Sequence, residues 1–545
     1  MKRHFVTLSI RAGALLGLLI VLHGCTNLDE SPVSVITPGT FFKNEAEVSA
    51  ALAGVYAQLR STAPEGTIYD ANEVSTDEIV VPIRGPDWID NGQWIDLHNQ
   101  TWTPTSAAAS NFFNGAWNNA YTGVARANLY VASVEPASVV VPNKATYLAE
   151  GRALRAFYYY ILMDFFGGVP IVTDPTDHAL HPRNTRREVF DFIESELIAA
   201  RDSGLPATWN AANNGRFTQG AADAILANMY LNAGVFTKDA AGGTGISATA
   251  YNTCAGVTVT GGDACAAAIA AADRVLNSGH YALADSFPQM FRADNANSRE
   301  NIFVVKFINK DQLGLGIVMA SLHYCMYSGA SPWNGFATLA QTYNAFDPAD
   351  KRRRVILIGP QVDVLTGAPA TVRSGGSCPT TGGTPLVFTA TIDTITDASE
   401  GEGPRLYKWP ADPAHVAQNS GNDYAWFRLG EIYLIKAEAL NEQTPGSGAA
   451  LTQLNTLRNR LGDPVNTALA GPITRPIILN ERLFELFGES KRRQDLIRFG
   501  QYTGRTDAAS GIYGGKVGRP DYYVLMPIPQ TQVNANPLLS QNNGY

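Results

Sequence analysis

A chain of 545 residues with 45% hydrophobic and 17% charged content is long enough to bury an extensive core; length alone suits roughly two to four average domains. Its formal charge of −8 argues against nucleic acid as a partner, because phosphates repel an acidic surface. No C-x-x-C pair and no His/Cys cluster at zinc spacing is present, so neither a metal nor a cofactor is expected.

In chain order, the first feature is a terminal signal. Lys2, Arg3 and Arg11 precede an apolar run from Ala12 to Leu22, and Gly24 stands before Cys25. The run is about half of the ~20 residues that a membrane helix needs. With Leu22-His23-Gly24-Cys25 at its end the segment resembles a bacterial lipoprotein signal. The resemblance implies that residues 1–24 are removed, that Cys25 is lipidated and that the folded part is exported. Residues 25–43, polar and carrying Pro32 and Pro38, read as a tether, with the folded part spanning 44–545.

Helical periodicity dominates the chain beyond the tether. Leu154, Tyr158, Ile161 and Phe165 form one stripe, closed by Gly167-Gly168-Val169-Pro170. Thr185 with Glu188 predicts a capping box for a helix over 186–200, ended by Gly204 and Pro206. Ala222, Ile225, Leu226 and Met229 repeat the stripe, as do Leu429, Ile432, Tyr433 and Leu440, then Leu479, Leu483, Leu486 and Phe487. Such helices predict stacked helical hairpins with a degenerate repeat. Two stretches break the pattern, 62–105 and 285–425. They are rich in Gly, Pro, Asn, Trp and Tyr and hold only short β-like runs at 301–307 and 386–391. Loops this long are usually functional. Cys254 and Cys265 enclose a Gly/Thr-rich loop and form a candidate disulfide in an exported chain, although spacing does not fix connectivity among these two, Cys325 and Cys378.

Several blocks carry a family resemblance. Tyr147-Leu148-Ala149-Glu150-Gly151-Arg152 through Tyr160, followed by Phe165-Phe166-Gly167-Gly168-Val169-Pro170, is one. Others are Thr185-Arg186-Arg187-Glu188-Val189-Phe190, Gly215-Arg216-Phe217-Thr218-Gln219-Gly220, Arg428-Leu429-Gly430-Glu431-Ile432-Tyr433, Asn480-Glu481-Arg482-Leu483-Phe484-Glu485-Leu486 and the tail from Pro527-Ile528-Pro529-Gln530 to Gly544-Tyr545. Together they resemble the SusD/RagB family of outer-membrane nutrient-binding lipoproteins. The resemblance implies a mainly α fold, a single unit of tetratricopeptide-like helical hairpins with a loop-rich ligand face and minor β-hairpins. It also implies a lipid-anchored protein on the outer face of the outer membrane that passes oligosaccharide to a SusC-like TonB-dependent transporter. Asp29-Glu30 resembles the acidic signal that such surface lipoproteins carry after the cysteine.

The loop chemistry fits a glycan. Flat aromatic faces stack on sugar rings while carboxylates, amides and Arg bond hydroxyls. One cluster contains Asp77, Arg84, Trp88, Trp94, His98 and Trp102; the resemblance favours Asp77, Arg84 and Trp88. A second contains Tyr324, Tyr327, Trp333 and Asn334, with Trp333 in turn chemistry that presents a side chain outward. Each tryptophan has a plainer reading as a pin holding its loop to the scaffold. Glu481 and Glu485, one helical turn apart near Lys491, Arg492 and Arg493, read as structural ion pairs rather than a glycosidase pair. Lys351–Arg354 reads as a solvated loop. No nucleophile elbow, P-loop or HExxH occurs, and no enzyme is expected. Two rivals remain, an oligopeptide-binding member of the same architecture and a surface glycoside hydrolase.

Overall fold

The computed structural model describes residues 42–136, 138, 140–460, 468–503 and 516–545, so the signal, Cys25 and nearly all of the tether lie outside the described residues. The longer helices are α1 (Glu45–Ala57), α2 (Asn114–Val134), α3 (Lys144–Phe166), α4 (Arg186–Ser203), α5 (Gln219–Leu231), α6 (Ala264–Leu276), α7 (Leu429–Gln443), α8 (Gly448–Arg458) and α9 (Arg475–Leu486). From α2 to α7 each packs on the next, and α7 also meets α8 and α9. This is the stacked-hairpin scaffold that the periodicity predicts. Among the described residues no helix is long and apolar enough to cross a membrane.

Local chemistry sets the boundaries. Thr185 caps α4 with a full capping box, and Thr218 and Asp263 cap α5 and α6 through their side-chain oxygens. α3 ends at Gly167 in a positive-φ conformation of 75°. Nearly all of α3 is buried, because α2 and α4 cover two of its faces. Gly123 on α2 lets the Tyr158 ring of α3 approach its backbone; a Cβ there would stand 2.5 Å from the ring.

The strands are short and antiparallel. β1 (Asn301–Val305) pairs with β2 (Tyr424–Arg428), with Val304 opposite Ala425, and joins the loop-rich half to the start of α7. Val387–Phe388, from the second β-like run, pairs with Gly359–Pro360. Two disulfides are present, Cys254–Cys265 and Cys325–Cys378.

Glu481 and Glu485 lie in a buried ion network whose partners differ from the neighbouring basic run. Glu485 meets Arg352, Arg428 and Arg460 at 3.3, 2.8 and 2.5 Å, and Glu481 meets Arg352 at 3.1 Å and Arg458. Lys491, Arg492 and Arg493 turn instead to Glu431, Asp77 and Asp164. The solvated-loop reading of residues 351–354 is corrected for Arg352, which is fully buried. Two carboxylates one turn apart inside the protein need cations, and this segment supplies one of them.

Candidate functional site

Four loops meet at one face beside the scaffold. The first begins with a tight turn in which Arg84 and Asp87 exchange backbone hydrogen bonds of 3.1 Å. Beyond it Trp88 adopts φ 66°, a left-handed conformation that a bulky residue holds only where its surroundings over-determine it. The surroundings are plain. The Trp88 indole N–H donates to the Trp333 carbonyl at 2.9 Å, and its ring lies against Gly335, where a Cβ would overlap it. Trp94 meets the Trp88 ring edge-on at 5.6 Å.

The second loop returns through Trp333 and Asn334, whose N–H groups donate to Met319 and Leu322 carbonyls at 2.7 and 2.9 Å. It also presents Tyr324, whose hydroxyl donates to Asp87. The third loop brings Arg373, fastened by the Cys325–Cys378 disulfide beside Tyr324. The Arg373 guanidinium stacks 3.3 Å from the Tyr324 ring centre and pairs with Asp87 at 3.0 Å and Glu400 at 2.7 Å. Glu400, from the fourth loop, also meets His323 Nε2 at 3.0 Å.

The electrostatics follow from this wiring. Burial works against the Glu400 charge, yet its bonds from Arg373 and His323 hold the carboxyl below its ordinary range. Burial drives His323 down to about 4, leaving it neutral at physiological pH. Burial, reinforced by Asp87, pushes the Tyr324 phenol above its usual value, so it remains a hydrogen-bond donor. Asp87 and Glu400 share Arg373, and the Arg84 guanidinium lies close behind Glu400 and Glu402, so carboxylates and guanidinium groups offset one another at this face.

The structure brings Trp88, Tyr324 and Trp333 together, each half-buried with part of its surface open. The other residues of the two clusters lie deeper, in contacts within the protein. Asp77 is buried and holds Arg492 through two bonds of 2.8 Å. Trp102 is fully buried, with its N–H on the Tyr545 hydroxyl at 2.9 Å. His98 is likewise buried. Trp94 packs beneath Trp88 with its N–H on Asp90 at 2.8 Å. Tyr327 is buried and donates to the Asp412 carbonyl at 2.8 Å.

Arg84 and Asn334 brace the fourth loop from behind: Arg84 donates to the Ser399 and Glu402 carbonyls, and Asn334 donates to the Glu400 carbonyl at 3.0 Å. These residues position the face rather than form it. Sequence reasoning missed Asp87, Arg373 and Glu400. Asp87 was signalled by the Gly85-Pro86 turn before it, and Arg373 by its nearness to Cys378. Among the described residues no group of three or more His, Cys, Asp or Glu is placed to hold a metal ion.

Comparison with known proteins adds the family context. Residues 335–545 match the model described as the SusD family, and residues 28–231 match the model described as starch-binding associating with outer membrane. The SusD-like protein P2 of Formosa agariphila is 25% identical over an alignment of 580 positions, covering 100% of both chains. The starch-binding protein SusD of Bacteroides thetaiotaomicron is 25% identical over 604, again covering 100% of both. Among solved structures, a laminarin binding SusD-like protein superposes with a TM-score of 0.67 at 23% identity, covering 92% of this chain and 100% of that one. The surface glycan-binding protein A from Bacteroides thetaiotaomicron, in complex with laminarihexaose, gives 0.69 at 21%, with the same coverage. The likeness to these structures establishes a common fold.

Proposed function

The chain belongs to the SusD family, and on that premise we propose that it is a glycan-binding protein whose ligand lies on the Trp88–Tyr324–Trp333 face. One observation carries the reading. Two aromatic clusters far apart in the chain converge, Trp88 on Trp333 and Asp87 on Tyr324, on a partly open surface edged by hydrogen-bonding groups. Relatives named for binding starch and laminarin support it. Arg373, the guanidinium on this face, is already paired with Asp87 and Glu400, which favours an uncharged glycan over a uronate or a sulfated one.

In the same reading residues 44–545 act as one unit. The chain is anchored through a lipid on Cys25, faces the exterior from the outer membrane and delivers its ligand to a SusC-like TonB-dependent transporter. It is a binder rather than a hydrolase. The carboxylates of the face, Asp87 and Glu400, are both engaged by Arg373 rather than held free for chemistry. A shallow face of this kind supports an affinity on the order of micromolar to millimolar, which suits fast release.

The test is affinity electrophoresis against neutral glycans, among them laminarin and starch, with reducing ends assayed in parallel. Retardation without release of reducing ends is expected. Steady hydrolysis, or no retardation by any neutral glycan, would overturn the reading.

A further inference from the structure

A second, unrelated concavity lies on the scaffold side. Two hollows of about 260 and 320 Å³ run together through Asn214, Gly215, Arg216 and Val304, between α1, the loop 207–216 and β1. Joined, they fall in the range of roughly 300–1,000 Å³ that holds a drug-sized ligand. They share no lining residue with the Trp88–Tyr324–Trp333 face.

The lining is cationic in a chain of net charge −8: it includes Arg60, Arg216, Lys306 and Arg299 and, among the described residues, no Asp or Glu. Two of these charges are already matched, Arg216 by Glu150 and Lys306 by Asp423. Among the described residues Arg60 and Arg299 have no carboxylate partner. Their guanidinium groups donate to the carbonyls of Lys306, at 3.2 Å, and Gly279, at 3.0 Å, which leaves full charge and unused N–H groups at the groove. Arg60 lines the first hollow and Arg299 the second, so the positive charge sits in both halves of one channel.

Between them the channel depends on a missing side chain. Gly215 has φ 93°, and a Cβ there would stand 2.7 Å from Lys306 Cδ, narrowing the junction. Trp209 lines the second hollow with one face covered by Arg216, 4.0 Å from its ring centre. A ligand matching these groups brings anions for the arginines and a ring surface for Trp209.

We propose that this groove is a second carbohydrate site that takes an acidic oligosaccharide, its carboxylate or sulfate groups paired with Arg60 and Arg299. An acidic peptide matches the charge but brings no flat sugar ring to Trp209.

Calorimetric titration of the full-length protein in detergent tests this with hexagalacturonate, a heparin hexasaccharide, maltohexaose and hexaglutamate. At least one acidic sugar is expected to bind, with affinity falling at least about fivefold as salt rises from about 50 to about 500 mM. The Arg60→Ala/Arg299→Ala double variant should lose at least about tenfold, and Arg299→Glu at least as much as Arg299→Ala. A Tyr324→Ala/Trp333→Ala variant should retain this binding, which separates the groove from the glycan face. The proposal is overturned if neither acidic sugar binds, if the arginine variants bind unchanged, if the Tyr324/Trp333 variant abolishes the binding, or if hexaglutamate binds as tightly as the sugars. Failure of neutral glycans to bind would count against the proposed function and leave this groove untouched.

Discussion

The Trp88 indole N–H donates to the backbone carbonyl of Trp333 across 2.9 Å, joining loops 245 residues apart in sequence. One aromatic residue thereby fixes the backbone that presents another, so the face is a built surface rather than a chance grouping of exposed rings.

This arrangement leaves no room at Gly335. A Cβ there would overlap the Trp88 ring, so Gly335→Ala should expel the indole and break its bond to Trp333. Tryptophan fluorescence should shift, and affinity for a bound neutral glycan should drop by about tenfold or more, while the helical circular dichroism signal remains. Retained affinity would show that the Trp88 position does not matter to the ligand.

The Cys325–Cys378 bridge holds the segment carrying Arg373 over Tyr324. Its selective removal in a Cys325→Ser/Cys378→Ser variant should loosen that segment, seen as faster hydrogen exchange around residues 371–378, and weaken glycan binding several-fold. The Cys254→Ser/Cys265→Ser variant, whose bridge fastens the first turn of α6, should leave binding unchanged.

Glu485 is buried against Arg352, Arg428 and Arg460. Glu485→Ala would remove the carboxylate these three guanidinium groups share, leaving Asp350, Glu481, Glu300 and Glu489 to neutralise them, and should cost about 3–5 kcal/mol of unfolding free energy. Chemical denaturation measures this, and a loss within about 0.5 kcal/mol would contradict the network's role.

Acid titration should show a second signature. Burial raises Glu73 from an ordinary value of 4.5 to about 7, although bonds from its neighbours oppose the shift. Between those values the folded state keeps a proton that the unfolded chain has released, so stability falls as pH rises through that window and levels off above it. Glu485, Glu489 and Asp495 are shifted the other way, against their own burial, by arginine and lysine partners; their contribution is lost as pH falls below the ordinary carboxylate range. The thermal midpoint should therefore peak below neutrality, and Glu73→Gln should flatten its decline between about 4.5 and about 7.

Much of the scaffold was legible from local chemistry. The capping box at Thr185, the glycine stop at Gly167 and the apolar stripes each act within a few residues, so sequence spacing reveals them. The loop face was legible only in part. Trp88, Tyr324 and Trp333 stood out as large aromatics in segments without core periodicity. Asp87, Arg373 and Glu400 gain their roles through contacts such as Arg373 to Asp87, 286 residues apart, which no local pattern encodes. The same long-range closure hid the burial of Trp102, whose partner Tyr545 is the last residue of the chain. It likewise drew Arg352 inward to Glu481 and Glu485, where a short basic run read by itself suggests a solvated loop.

The most direct test of the central claim is equilibrium titration of the protein with the neutral glycan that retards it most, repeated with Tyr324→Ala and Trp333→Ala. Both side chains are partly open, so both variants should fold with unchanged circular dichroism while affinity falls by at least about tenfold in each. Parent and variants binding that glycan with equal affinity would contradict the account.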